Sequence, residues 1–219
     1  MEPLYILGLG LAFVLAYLVG AIPMGLLVVK ALTGEDVRQY GSGRTGGTNA
    51  MRAGGVKAGV LTGLGDLLKG VLAVNIGRLL FPGDPVAEAV CAVAAVVGHN
   101  WSIYIGFKGG AGTGANVGAA VALWPLTAAI MIPFVPLVLY LTGYASVTST
   151  LASLLLVAIF ILRAALAGQP IAYVVYAVIT ALLVAIALIP NYKRLLAGTE
   201  RVVGLRARKL KQMEQSSSS

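Results

Sequence analysis

Long stretches of this chain carry no charge at all. No Asp, Glu, Lys or Arg stands between Glu2 and Lys30, between Glu88 and Lys108, between Lys108 and Arg163, or between Arg163 and Lys193. A helix needs about 20 apolar residues to cross a bilayer core, and these runs are of that order or longer. A water-soluble fold cannot be made from them. With 58% hydrophobic residues against 11% charged, there is too little polar surface to cover an exterior. The runs lack the period-two alternation of a transmembrane β-barrel. The chain is therefore expected to be all-α, a polytopic integral membrane protein.

The coarse spans are 4–29, 56–81, 86–107, 115–141, 147–166 and 171–189. The first is too long for a cleaved signal and no small-x-small site follows it, so it reads as an anchor that stays. The net charge of +8 could suit nucleic acid, but seven of the sixteen Lys/Arg residues fall from Lys193 onward. In a membrane protein such a tail belongs beside anionic headgroups on the cytoplasmic side, and no nucleic-acid partner is expected. Six spans would put that tail on the face opposite the basic loop 30–52. One further crossing repairs the parity, and Trp124-Pro125, Pro133 and Pro136 interrupt 115–141 where a crossing can be gained. About seven helices result, some short or broken, with the N-terminus outside and the C-terminus cytoplasmic. Residues 1–200 form one membrane-embedded domain, and 201–219 a basic, then Ser-rich tail, disordered at its end.

This topology gathers loop 30–56, the turns 106–113 and 143–148, and Asn191 on one face. The loop contains Gly41-Ser42-Gly43-Arg44-Thr45-Gly46-Gly47-Thr48-Asn49, followed by Arg52. Glycines let backbone N–H groups converge on an anion. Ser42, Thr48 and Asn49 add neutral donors, and Arg44 and Arg52 add guanidinium forks suited to phosphate. The same composition also fits a flexible connection with ordinary inside charges. A second cluster joins Gly98-His99-Asn100-Trp101 to Gly106-Phe107-Lys108-Gly109-Gly110-Ala111-Gly112-Thr113-Gly114. His99 is the only histidine, so it makes no metal site without partners and reads first as a hydrogen-bonded structural residue. In Asp66-Leu67-Leu68-Lys69-Gly70, the Asp and Lys share a helix face and are expected to pair, although Lys69 could instead reach a substrate headgroup. Cys91, the one cysteine, reads as a small core residue. Anion-binding loops without a recognisable nucleophile fit one phosphorylated substrate attacking another that is already activated.

These motifs resemble, in order, those of the PlsY-type glycerol-3-phosphate acyltransferases of bacteria. The segment 41–52 resembles GSGNxGATNxxR, 66–70 resembles DxxKG, 98–112 resembles GHxxPxFxGFKGGKG, and 191–200 resembles the end of HRENIxRLxxGxE. The resemblance implies a seven-helix enzyme of the bacterial cytoplasmic membrane, its site facing the cytoplasm. It implies acyl transfer from acyl phosphate to the 1-hydroxyl of glycerol 3-phosphate, giving lysophosphatidic acid and phosphate with no cofactor and no metal. Its partners are then acyl phosphate, glycerol 3-phosphate and membrane lipid, and the chain acts as a monomer. Carried over by position, Ser42, Arg52, Lys108 and Ser146 are catalytic. Gly41, Gly43, Arg44, Thr48, Asn49, Lys69, His99, Gly109, Gly110, Gly112 and Asn191 bind substrate.

Charged and amide positions of the family pattern are among those that depart. The second lysine of KGGKG is Ala111, HRE is replaced by Leu188-Ile189-Pro190 so that the histidine is absent, and the Asn of GSGN is Arg44. Each charge-assisted bond so lost is worth about 1.5–3 kcal/mol, and Arg44 is expected to restore part of the positive charge. Two further readings remain at this stage: a non-catalytic relative that binds a phosphorylated lipid or metabolite, and an anion transporter built from broken helices.

Overall fold

The computed structural model describes residues 2–203, so the expected tail, from residue 204 on, lies outside the described residues. Among the described residues eight α-helices account for the architecture, and the chain is a multi-pass membrane protein. They are α1 (Pro3–Ala21), α2 (Met24–Thr33), α3 (Gly47–Leu80), α4 (Pro85–Asn100), α5 (Thr113–Leu123), α6 (Thr127–Thr142), α7 (Ala145–Ala167) and α8 (Ile171–Leu196). Five segments are long and apolar enough to cross a membrane, counting Pro3–Thr33 as one, while α5 and α6 are shorter.

Two expected elements are altered by particular residues. The span 4–29 is not one helix, because Pro23 lacks an N–H and holds Ile22 out of the helical region (φ −55°, ψ 118°). The freed carbonyls do not face hydrocarbon bare, which would cost several kcal/mol each. Ala21 accepts from Ser102 Oγ at 2.5 Å and Ile22 from Lys69 Nζ at 2.8 Å. The third helix begins at Gly47, well before the expected 56. It is folded at Gly54 and Gly55, the latter at φ +77°, a conformation that favours glycine. The arm ahead of this fold lies back along the main helix, so closely that a Cβ on Gly47 would sit 3.0 Å from the Gly59 carbonyl oxygen.

The division of 115–141 falls at Trp124-Pro125, where Trp124 is extended (φ −149°, ψ 103°). Pro133 and Pro136, expected to break the run as well, lie inside α6. Helices in lipid tolerate proline where neighbours satisfy the freed groups. The start of α4 is set by Asp84, whose carboxylate accepts from the Val86 N–H at 2.8 Å, with Pro85 at the first helical position.

With lipid tails as apolar as leucine, helix association rests on close packing of small residues. A Cβ on Gly98 of α4 would strike the Tyr17 carbonyl of α1, and one on Gly20 of α1 would strike the backbone of Ala95. Gly70 and Gly118 do the same for α3 and α5. At the far end Arg78 Nε pairs with Glu88 Oε1 at 3.2 Å, and Tyr173 donates to Glu88 Oε2 at 3.0 Å. Arg78 also donates to the Ala122 carbonyl at 2.8 Å, so four helices are tied there. Overpacking the close crossing is expected to cost about 1–3 kcal/mol. Gly98→Leu should therefore lower the thermal unfolding midpoint in detergent, whereas Gly10→Leu, where a Cβ meets nothing within 4 Å, should leave it in place.

Candidate active site

The end of the bundle bearing the glycine-rich segments holds a cavity of about 530 Å³. Three helix N-termini open on it: Gly46, Gly47 and Thr48 of α3, Gly112, Thr113 and Gly114 of α5, and Ala145 and Ser146 of α7. A helix N-terminus carries unsatisfied N–H groups and about half a positive charge, the setting in which phosphate binds. Arg44, Arg52 and Arg201 line the same end, with Ser42, His99, Thr148, Ser149, Asn191 and Glu200. Away from this polar end the lining turns apolar, through Val56, Val60, Leu64 and Leu67 of α3 and Met131, Ile132, Val135 and Leu139 of α6.

The glycine-rich loop does not form the expected anion nest at Ser42 and Gly43. The Ser42 N–H donates to Asn49 Oδ1 at 3.1 Å, and the Gly43 N–H donates to the Tyr40 carbonyl at 2.9 Å. Asn49 is the clamp: its Nδ2 also reaches the carbonyls of Val37, Tyr40 and Arg44 at 2.8–2.9 Å. That amide holds the loop in shape, and Asn49 also lines the cavity. Gly41, at φ +48°, keeps clear the space beside that amide and Arg52, and lines neither cavity described here.

Arg44 is held over the cavity from α8, where its Nη2 donates to the Ala187 carbonyl, while Nη1 is buried without a partner. Burial pulls its pKa down, the neighbouring Arg194 acts the same way, and Glu200 opposes them. Arg52 points Nη2 toward the Arg201 carbonyl at 3.4 Å. Ser146 Oγ is buried with no partner. Asn191 Nδ2 donates to Glu200 Oε1 at 2.7 Å, and because a carboxylate only accepts, Asn191 must present its Oδ1, also unpartnered, as an acceptor. Arg194 Nε holds the other Glu200 oxygen at 3.0 Å.

Several predicted residues lie elsewhere. Lys108, Gly109, Gly110 and Gly43 line a second cavity of about 290 Å³, which shares only Ser42 and Arg44 with the first. The Gly109 and Gly110 N–H groups close the turn onto the Asn100 and His99 carbonyls at 3.1 and 2.9 Å. Lys69 lines neither cavity and is 4% exposed. The expected pair is what it forms: its Nζ lies 3.0 Å from Asp66 Oδ1, and its contact with a substrate headgroup is not supported. His99 does line the main cavity, its Nδ1 3.4 Å from the same Asp66 oxygen. Thr113, within the second glycine-rich cluster, donates its hydroxyl to Ser149 at 2.7 Å, and sequence reasoning missed Thr148, Ser149 and Arg201. Thr148 and Ser149 carry no motif beyond their place near the start of α7, and Arg201 lies past the end of α8.

A family model described as glycerol-3-phosphate acyltransferase matches residues 10–198. The chain belongs to the glycerol-3-phosphate acyltransferase family. It is 41% identical over 197 residues to glycerol-3-phosphate acyltransferase 2 of Moorella thermoacetica, covering 90% of this chain and 98% of the relative. The glycerol-3-phosphate acyltransferase of Rubrobacter xylanophilus is 40% identical, with 90% and 96% covered. Among solved structures, PlsY (YgiH), an integral membrane glycerol 3-phosphate acyltransferase, superposes in its glycerol 3-phosphate form with a TM-score of 0.78 at 32% identity. That match covers 90% of this chain and 96% of that one. The lysophosphatidic acid form gives 0.77 at 30% identity. The resemblance and the all-helical membrane fold expected from the sequence both hold.

Breaking the buried pair from one side strands a charge, at a cost of about 3–5 kcal/mol. Lys69→Met should therefore destabilise the protein strongly, and the double variant Asp66→Asn/Lys69→Met should recover much of the loss, as read by thermal unfolding in detergent.

Proposed function

We propose that this chain transfers an acyl group from acyl phosphate to the 1-hydroxyl of glycerol 3-phosphate, in the cytoplasmic membrane of a bacterium and with the cavity facing the cytoplasm. The observation that carries this reading is the continuity of one cavity. Three helix N-termini and three arginines stand at one end and an apolar cleft at the other, matching a phosphate head joined to an acyl chain. The basic residues of loop 30–52 and of the segment from Lys193 favour the cytoplasmic orientation. The protein acts as a monomer with membrane lipid around it.

Acyl phosphate is a mixed anhydride, so no enzyme nucleophile is needed and catalysis can come from positioning and charge neutralisation. The substrate hydroxyl oxygen bonds to the acyl carbon, the bond from that carbon to the phosphate oxygen breaks, and inorganic phosphate departs. The hydroxyl proton leaves with the phosphate or to water. Arg44, Arg52 and the Ser146 hydroxyl bind phosphate oxygens, and the free Asn191 Oδ1 accepts from a glycerol hydroxyl. Ser42 and Thr48 add donors at the same end, and His99 and Gly112 shape its wall. Lys108 serves from the second cavity, beyond Ser42 and Arg44. No metal or cofactor enters this scheme.

Phosphate release from hexadecanoyl phosphate by protein in lipid, with and without glycerol 3-phosphate, tests the reading. Release should require the acceptor and yield lysophosphatidic acid. Removing a charged hydrogen bond costs about 1.5–3 kcal/mol, so Arg52→Ala should lose roughly 10- to 150-fold in kcat/KM. Arg44→Gln should fall in the same range and regain activity when Ala111→Lys is added. Substrate binding without acceptor-dependent release would overturn catalysis and leave a binding protein.

A further inference from the structure

The apolar half of the cavity has one position where a side chain is missing without being replaced. The α3 residues that line it, Val56, Val60, Leu64 and Leu67, recur at the three- and four-residue spacing of a single helix face, and Gly59 and Gly63 fall among them. The two glycines are not equivalent. A Cβ on Gly59 would meet the Met51 Cβ at 2.7 Å, so that space is already filled by the folded-back arm. A Cβ on Gly63 would meet nothing within 4 Å, although Gly63 lines the cavity.

The polar end begins beside this gap. The Cβ position of Gly47, at the N-terminus of the arm, lies 3.5 Å from the Gly63 nitrogen. The α6 residues Met131, Val135 and Leu139 line the same cavity, and α6 packs mainly on α7 and α5. The outer edges of the cleft, Val60 and Leu64 on one side and Ile132 on the other, are each more than half exposed. Around a membrane protein that exposure is to lipid.

We propose that Gly63 is the throat of an acyl-chain portal. The space left by its missing side chain joins the phosphate-binding end to a cleft between α3 and α6, through which the acyl tail of donor and product passes to and from the bilayer. This rests on the acyltransfer reading and adds the residue that sets tail passage. A tail that emerges into lipid meets no end wall, so long chains are accepted without an upper limit, and bulk at the throat sets what enters.

Leucine suits a helix better than glycine, and Gly63→Leu places its side chain in the gap. With this variant, transfer from hexadecanoyl phosphate should fall by about tenfold or more, while transfer from water-soluble butyryl phosphate stays within about twofold. Affinity for 1-hexadecanoyl lysophosphatidic acid should fall with the former, and affinity for glycerol 3-phosphate should hold. Val135→Trp, which narrows the same passage from α6, should give the same split and replaces Gly63→Leu if that variant does not fold. Equal loss with both donors, or unchanged hexadecanoyl transfer, overturns the portal. If the unmodified protein transfers from neither donor, the acyltransfer reading falls instead, and the split between lysophosphatidic acid and glycerol 3-phosphate binding still decides the throat.

Discussion

No polar group can be left bare inside hydrocarbon, and one chain of partners that answers this constraint runs through the centre of the molecule. Pro23 breaks the first span and frees the Ile22 carbonyl, which Lys69 takes up. Lys69 is compensated by Asp66, and the same Asp66 oxygen lies beside His99 on the cavity wall. A helix break near the first crossing is thereby linked to the orientation of a site residue on the fourth helix. Within the motif, Lys69 serves this satisfaction, while Asp66 and Leu67 also line the cavity.

The same economy separates the residues that build the site from those left to act. Asn49 and the backbone of Ser42, Gly43, Gly109 and Gly110 are occupied in holding their own turns. Among the described buried groups without a hydrogen-bond partner are Ser146 Oγ, Asn191 Oδ1 and Arg44 Nη1, all in residues that line one cavity. A rigid frame presenting a few free donors and acceptors is what positional catalysis requires. Helix N-termini and Arg44, Arg52 and Arg201 bring positive charge to the cavity, and Asp66 and Glu200 stand among them. Arg44 is anchored to the carbonyl of Ala187, beside Leu188.

An enzyme whose substrate and product carry acyl chains must hold a phosphate and a hydrocarbon tail at once. The folded-back arm of α3 turns its N-terminus to the cavity and fills the Gly59 gap with Met51, while Gly63 stays open. The short α5, closed at its far end by Trp124-Pro125, supplies a helix N-terminus within the bundle rather than at its surface.

Much of this was legible in the chain itself. Charge-free runs determine a multi-span helical protein because hydrocarbon admits little else, and Pro125 marks the divided span because the residue before a proline leaves the helix. The pairing of Asp66 with Lys69 followed from their spacing. Four motifs in order carried the family. The tertiary structure alone decided which residues of those motifs face the cavity. Lys69 turns to a buried carboxylate and lines neither cavity, Lys108 lines a second cavity, and Asn49 both lines the first and clamps its loop. Thr148, Ser149 and Arg201 have no local signal and line the site only because distant segments converge. A sequence specifies which groups must be satisfied, but the partner that satisfies each is fixed by packing between segments far apart in the chain.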